Sequence, residues 1–467
     1  MINFAIPSIT SVPLFYYFAA LTAVLVLSNL VCIIGKKIKL QFALTALILL
    51  LMGAMITILI FSNASYTVVN LIKIDAFSLY FALIFTVGML LVNILGYAKD
   101  IHYSNFALLS SFALMGMYLV AFANSTVAIF IGLELVSIPT IFAVLLSRKI
   151  AIEASVKLFI LASVAVALFS FGMVLVYGAT GSIVLQNVTA ISGLIVVALA
   201  IMIAALGFEA ALFPFNLWVP DVYQGATTYV TAMIGGINKK VGFLALIEIL
   251  FFLFAADKQL FVEILYALAV ITILYGNLAA LAQKNVKRML AYSSIAQAGY
   301  IAIGIAAATS YSISASLFQI FAHMLMFIGA MAVVLFMESK NRNEIGDYIG
   351  LHKESSITAF CFAILLLGLV GTPLTMGFIG KFLIFSSAVY NGMLPLAIIG
   401  IIGSIISVYY FFKIISAMYT NKIGAEHIRV KGNLKFVFVI CTLLVLLFGV
   451  YPNIVMALAN AASALVI

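Results

Sequence analysis

From one end to the other, the chain is a succession of apolar runs, each long enough to cross a hydrocarbon core of about 30 Å and separated by short polar breaks. Backbone immersed in lipid must satisfy its own N–H and C=O groups, which segments of this length do by forming helices. The runs start near Val12, Gln41, Ala76, Asn105, Thr126, Ser155, Ala190, Val230, Gln259, Met289, Ser312, Ser356, Pro395 and Lys435, giving about fourteen spans. Of 467 residues 66% are hydrophobic and only 8% charged, too little polar surface for a water-soluble globule of this size. The expectation is an all-α polytopic protein forming a single membrane domain over residues 1–467. The first run, Val12 to Gly35, exceeds a signal-peptide core and lacks a convincing cleavage site, so it is expected to remain as a helix.

The formal charge of +9 does not point to nucleic acid, because the cations sit in short loops beside no aromatic patch or binding motif. Membrane orientation explains them. With the loop after the first helix placed inside, that face collects Lys36, Lys37, Lys39, Lys99, Arg148, Lys149, Lys284, Lys287, Arg288, Lys340, Arg342, Lys353, Lys422, Arg429, Lys431 and Lys435. The other face holds only Lys73 and Lys258. The positive-inside rule then puts both termini on the outer face. Cys32, Cys361 and Cys441 lie inside apolar runs without metal-ligand spacing, as inert helix residues do.

Removing the loops leaves Glu134, Lys157, Glu209, Lys239, Lys240, Glu248, Lys381 and Lys413 within or at the edge of spans. A charge at the bilayer centre costs about 2.5 to 3.5 kcal/mol even on the lenient insertion scale, so several of them persist only with partners, water or a function. The plain alternative is interhelical glue or snorkelling toward the interface. It weighs most on Lys413 and Glu248, near helix ends, and less on Glu134, Lys157, Lys239 and Lys381, deeper in their spans. Lys240 reads as accessory to Lys239, since neighbours on a helix point in different directions. His323 is the one histidine in its span; such a residue is as often a hydrogen-bonded core group as a proton relay.

Two spans are interrupted. The seventh carries Glu209 and then meets Pro214, and the twelfth contains Gly371-Thr372-Pro373 upstream of Gly377, Gly380 and Lys381. Broken helices at membrane depth expose backbone groups that water or a buried ion must satisfy, and two breaks five spans apart suit an inverted-repeat transporter. Lysine fits a proton path: burial disfavours its charged form, a nearby carboxylate favours it, and small rearrangements tip the balance. The chain carries no P-loop, no dinucleotide fingerprint, no cysteine cluster for iron–sulfur and no flavin site. Energy for transport must come from an ion gradient or from partner subunits.

The segment Phe213-Pro214-Phe215-Asn216-Leu217-Trp218-Val219-Pro220-Asp221-Val222-Tyr223-Gln224-Gly225-Ala226 strongly resembles the N subunit of proton-translocating NADH-quinone oxidoreductase, respiratory complex I. So do Gly132-Leu133-Glu134-Leu135 with Ser137 and Pro139, Glu153-Ala154-Ser155-Val156-Lys157, Asn285 through Ile295, and Gly371-Thr372-Pro373 through Gly380-Lys381-Phe382. The Asp221–Ala226 portion is more specific to the N subunit than to its L and M relatives. The resemblance implies two inverted five-helix repeats, spans 4–8 (residues 104–254) and 9–13 (259–418), after three N-terminal helices (1–103) and before a C-terminal helix (435–467). It implies proton transfer through Glu134, Lys157, Lys239 and Lys381; the other titratable residues within spans add Glu209 to the candidates for proton transfer, with Lys240, Glu248, His323 and Lys413 as possible accessories. It also implies no cofactor or metal in this chain, with quinone, NADH, FMN and iron–sulfur clusters in partner subunits. M-type and K/J-type membrane neighbours, a peripheral redox arm and a bacterial inner membrane complete the picture.

Where the family has Phe-Lys before the Pro-Phe pair, this chain has Phe208-Glu209, and Asn216 replaces the usual His. Thr227 likewise stands for a proline and Gln297 for a common His. A Glu–Lys switch between spans five and seven thus becomes two acids, Glu134 and Glu209, and the expectation is that Lys157 or Lys240 supplies the missing positive charge. The rival reading is a cation/proton antiporter or membrane-bound hydrogenase subunit of the same superfamily. A passive assembly scaffold is a third.

Overall fold

The structure, a computed structural model, describes residues 11–68, 71–99, 102–146, 150–186, 188, 192–255, 258–421 and 427–466. Arg148, Lys149 and Lys422 of the basic tally lie outside the described residues, as does the side chain of Lys99.

Seven long helices come first: α1 Ser11–Ile34, α2 Ile38–Phe61, α3 Ala76–Lys99, α4 Tyr103–Ala121, α5 Thr126–Leu145, α6 Ile150–Thr180 and α7 Gly193–Ala210. The connection from α2 to α3 forms a two-stranded antiparallel ribbon, β1 Tyr66–Val68 with β2 Ile72–Ile74. Short α8 Val219–Gly225 and α9 Thr228–Met233 lead through a π-helical stretch, Ile234–Asn238, into α10 Lys239–Glu248 and a second π stretch, Ile249–Leu253. Then follow α11 Lys258–Leu281, α12 Val286–Ala306, α13 Ser310–Glu338, the single turn α14 Leu351–Glu354, α15 Ser356–Val370, α16 Met376–Tyr390, α17 Leu394–Tyr419, α18 Gly432–Val450 and α19 Asn453–Ser463. Twelve of these are each long and apolar enough to cross a membrane. Two further crossings are composite, Thr228–Leu253 and the pair α15 with α16, which brings the described residues to the fourteen spans expected.

Polar residues start the helices where the sequence places them. Ser125 accepts from the Ala128 amide ahead of α5, Asn285 from Arg288 ahead of α12, Thr309 from Ser312 ahead of α13 and Thr375 from Phe378 ahead of α16, each satisfying a donor that the first turn leaves open. Apolar residues all round a helix mean burial in protein or lipid, and both occur. Buried over nearly their whole lengths, α12 and α13 form the centre, whereas α1, α2 and α6 leave most of their surface exposed. The 29-residue α13 packs against α3, α9, α12, α15, α16, α18 and α19, joining the two halves of the bundle.

Both interruptions fall where expected. After α7 the chain turns at Ala211 (φ 60°) and returns through the Phe213-Pro214 segment to α8; after α15 it turns at Gly371 (φ 92°) and Leu374 (φ 70°) before α16 resumes. At Gly371 the left-handed backbone is one that a side chain resists, which accounts for glycine there. The ribbon, the π stretches flanking α10 and the separate α19 are not legible as such in the sequence. Hydropathy reports how apolar a stretch is, not how its backbone bonds step.

Candidate functional site

The titratable groups of the first half meet at α5, α7 and α10. Glu209, near the end of α7, accepts a hydrogen bond from Ser137 Oγ on α5 at 3.2 Å, and Glu134, one turn earlier on α5, lies close enough to interact with it electrostatically. α10 approaches α7 at Gly242, where a Cβ would come within 2.8 Å of that of Glu209. A small cavity of about 30 Å³ is lined by Ser137, Thr140, Glu209, Trp218, Asn238 and Lys239 among others, enough for a water molecule with polar partners. Asn238 Nδ2 donates to Thr140 Oγ1 at 2.7 Å across this cavity.

Lys239 and Lys240 open the helical turn after the first π stretch and diverge as neighbouring helix residues must. Lys239 Nζ donates to the carbonyl oxygen and Oγ of Ser294 on α12, at 2.9 and 3.0 Å. Lys240 Nζ lies 2.6 Å from His323 Nδ1 on α13. All three side chains are buried. An ammonium held by neutral partners at this depth is costly unless its charge can be relieved, which is what a proton-passing group needs.

The second half continues the polar row. One turn before His323 on α13, Gln319 Nε2 donates to Gln297 Oε1 on α12 at 2.9 Å, and Gln297 Nε2 donates to the Leu369 carbonyl at 2.8 Å. Lys381 Nζ reaches the same region. It donates to the carbonyls of Leu369 (3.1 Å) and Val370 (2.7 Å) and to Ser404 Oγ (3.2 Å), with Tyr300's ring centre 4.4 Å away. Those carbonyls belong to the last turn of α15, left without helical partners by the break at Gly371. The break thus creates acceptors and Lys381 fills them, as a cation at a helix C-terminus should. Tyr300 and Tyr410 hydroxyls flank Asn277, both at 3.1 Å, and extend the polar region into α11 and α17.

Three expected residues stand apart from this row. Lys157, on the first turns of α6, forms an ion pair with Asp221 of α8, whose other oxygen accepts from Arg288 Nη1 at 2.8 Å. This cluster lines an open cavity of about 360 Å³ with Glu153, Gln224, Lys287 and Glu338, and Lys157 is 39% exposed. Lys157 is paired with Asp221 and Lys240 with His323, and the lysine that shares a cavity with Glu209 is Lys239. Glu248, at the end of α10, is fully buried with neither oxygen hydrogen-bonded, 3.9 Å from Lys73 of β2. Lys413 is exposed on α17 and contributes nothing to the row.

Asn238, Ser294, Gln319 and Tyr300 carry the row but were not singled out from the sequence. Uncharged polar residues are frequent in membrane helices as interhelical glue, so only their convergence on lysines distinguishes them.

Residues 123–407 match the family described as NADH:quinone oxidoreductase/Mrp antiporter, TM. The F(420)H(2) dehydrogenase subunit N of Methanosarcina mazei is 35% identical over 427 residues, 86% of each chain. The NADH-quinone oxidoreductase subunit N of Desulforamulus reducens is 34% identical over 438 residues, 91% of each. Among solved structures, a chain of respiratory complex I from Thermus thermophilus superposes with a TM-score of 0.84 at 29% identity, covering 95% of this chain and 99% of that one. A chain of the Mrp complex from Dietzia reaches 0.90 at 19% identity over 96% and 97%, a likeness in fold.

Proposed function

Since the chain belongs to the NADH:quinone oxidoreductase/Mrp antiporter membrane family, we propose that it is the antiporter-like N-type subunit of a complex I-type quinone oxidoreductase, and that it translocates protons. The observation that carries this reading is the row from half-buried Glu209 through buried Lys239, Lys240 and His323 to buried Lys381, its members on α7, α10, α13 and α16 and bridged by α12. Glu134 tunes Glu209 from α5. The open cavity holding Lys157, Asp221 and Arg288 is the mouth by which protons enter from the inner face. Glu248 with Lys73 stands at the opposite end of α10.

This chain performs no electron transfer. Quinone, NADH or another donor, FMN and iron–sulfur clusters belong to partner subunits, reached through M-type and K/J-type membrane neighbours. Relatives named for F(420)H(2) and for NADH resemble this chain to the same degree, in keeping with a donor selected elsewhere in the assembly. Spans 4–8 and 9–13 act as inverted repeats, each with one broken crossing. Both termini face outward from a bacterial inner membrane.

The test is purification in mild detergent followed by reconstitution. Redox subunits should co-purify, and Lys239→Ala should leave the assembly intact while proton pumping collapses. A solitary chain, or one that exchanges sodium for protons without partners, would favour the antiporter reading. Unimpaired pumping in Lys239→Ala would leave the row a structural feature.

A further inference from the structure

We propose that the bundle face where α3 and α13 end and α15 and α18 begin binds the phosphodiester headgroup of an acidic phospholipid. Two neighbouring cavities open there. One, of about 250 Å³, is lined by Lys340, Arg429 and Lys431 over an apolar floor of Leu335, Phe336 and Leu434. The other, of about 480 Å³, shares Arg429 and adds Lys435 with the hydroxyl-bearing Ser355, Ser356 and Thr358.

Charge sets these cavities apart from the proton mouth. At the mouth, Lys157, Lys287 and Arg288 are met by Glu153, Asp221 and Glu338. Among the described residues, the lining of the two cavities here has four cations and no carboxylate. Glu354, whose carbonyl receives the Ile428 amide at 2.9 Å, has its carboxylate bonded to Arg342. Like charges gathered around concave space repel one another until an anion enters.

Depth selects a lipid. Lys340 follows the last turn of α13, Lys431 caps α18 and donates to the Ala98 carbonyl near the end of α3 at 2.7 Å, and Ser356 begins α15. The cations therefore ring the helix ends, at the level where phosphates of a bilayer lie. The buried floor residues sit inward of them. Farther along the same helices, exposed Phe360 of α15 and Phe436 and Leu443 of α18 offer apolar surface to acyl chains. A phosphodiester with chains attached fits both layers; free phosphate uses only the first.

Native mass spectrometry of the full chain in mild detergent, titrated with phosphatidylglycerol or phosphatidylcholine, tests the assignment. Phosphatidylglycerol should be retained in preference. The double variant Lys340→Ala/Arg429→Ala should weaken its binding roughly 30-fold, as removal of two juxtamembrane cations implies, whereas Lys36→Ala/Lys39→Ala at another basic loop should leave it unchanged. Arg429→Lys, which preserves charge, should recover most of the loss and controls for misfolding. Equal retention of both lipids, an equal loss in the Lys36/Lys39 variant, or displacement of phosphatidylglycerol by inorganic phosphate at matched concentration would overturn the proposal.

Discussion

Lys381 is the residue at which a structural role and a proton-carrying role can be separated most cleanly. Its ammonium closes the interrupted end of α15 with bonds to Val370 (2.7 Å), Leu369 (3.1 Å) and Ser404 (3.2 Å). In Lys381→Met the Leu369 carbonyl still receives Gln297 Nε2 at 2.8 Å, so Val370 is the acceptor orphaned. An unsatisfied buried carbonyl costs about 1–3 kcal/mol, offset in part because an ammonium is no longer buried. Lys381→Arg keeps the charge and the donors. Arginine's reference pKa exceeds lysine's by at least about two units, so its neutral form is rarer by roughly 100-fold. The arginine variant should thus assemble and melt like the parent while pumping in reconstituted vesicles falls by about that factor, and methionine should lose both pumping and some stability. Pumping by the arginine variant within about twofold of the parent, measured as vesicle acidification against quinone reduction, would show that Lys381 only caps a helix.

Three further outcomes follow from the first half. Glu209→Gln retains an acceptor for Ser137 and should change stability by about 1 kcal/mol or less, yet abolish coupled pumping; retained pumping would remove Glu209 from the route. Gly242→Ala sets a Cβ 2.4 Å from the Ala210 amide nitrogen, overpacking that should cost about 1–3 kcal/mol and appear as a lowered melting temperature; an unchanged melt would show that α7 and α10 are not tightly apposed. Asp221→Asn strips the partner carboxylate from Lys157 and Arg288 in an open site. Stability should shift by less than about 1 kcal/mol while pumping slows several-fold, and an unaltered rate would place proton entry elsewhere.

The fourteen crossings and both breaks were legible because lipid leaves the backbone few options and Gly371, Pro214 and Pro373 announce where it departs from them. The lysines were legible for a similar reason: Lys239 and Lys381 are expensive in an apolar run. Their partners were not. Lys157 sits two turns into a helix and reads as deep, but α6 begins at Ile150 and the side chain emerges beside Asp221, on the far side of the seventh span in sequence. Pairing across 64 residues has no periodicity to betray it. The contrast at the two breaks was equally hidden: Trp218 Nε1 donates to the Phe208 carbonyl at 3.2 Å, so an indole closes α7 where a lysine closes α15.

That contrast bears on how the row works. With Phe208 held by an uncharged donor, the titratable group beside the first break is Glu209, whereas the second break presents Lys381. Between His323 and Lys381 lie Gln319 and Gln297, which bond to each other and, through Gln297 Nε2, to the Leu369 carbonyl that Lys381 also reaches; their amides donate and accept but do not titrate. Gln319 Oε1 is pressed so close to Gly380 that a Cβ there would lie 2.1 Å from it, which pins the amide pair in place. On the proposed proton route, protonation of Lys239, Lys240 or His323 is felt at Lys381 across these amides as a change of field. Two unit charges about 10 Å apart at an effective dielectric of about 20 interact by roughly 1.7 kcal/mol, more than a tenfold bias on an equilibrium. On the proposed route, a row divided by amides passes that bias between its halves without the amides themselves carrying the proton.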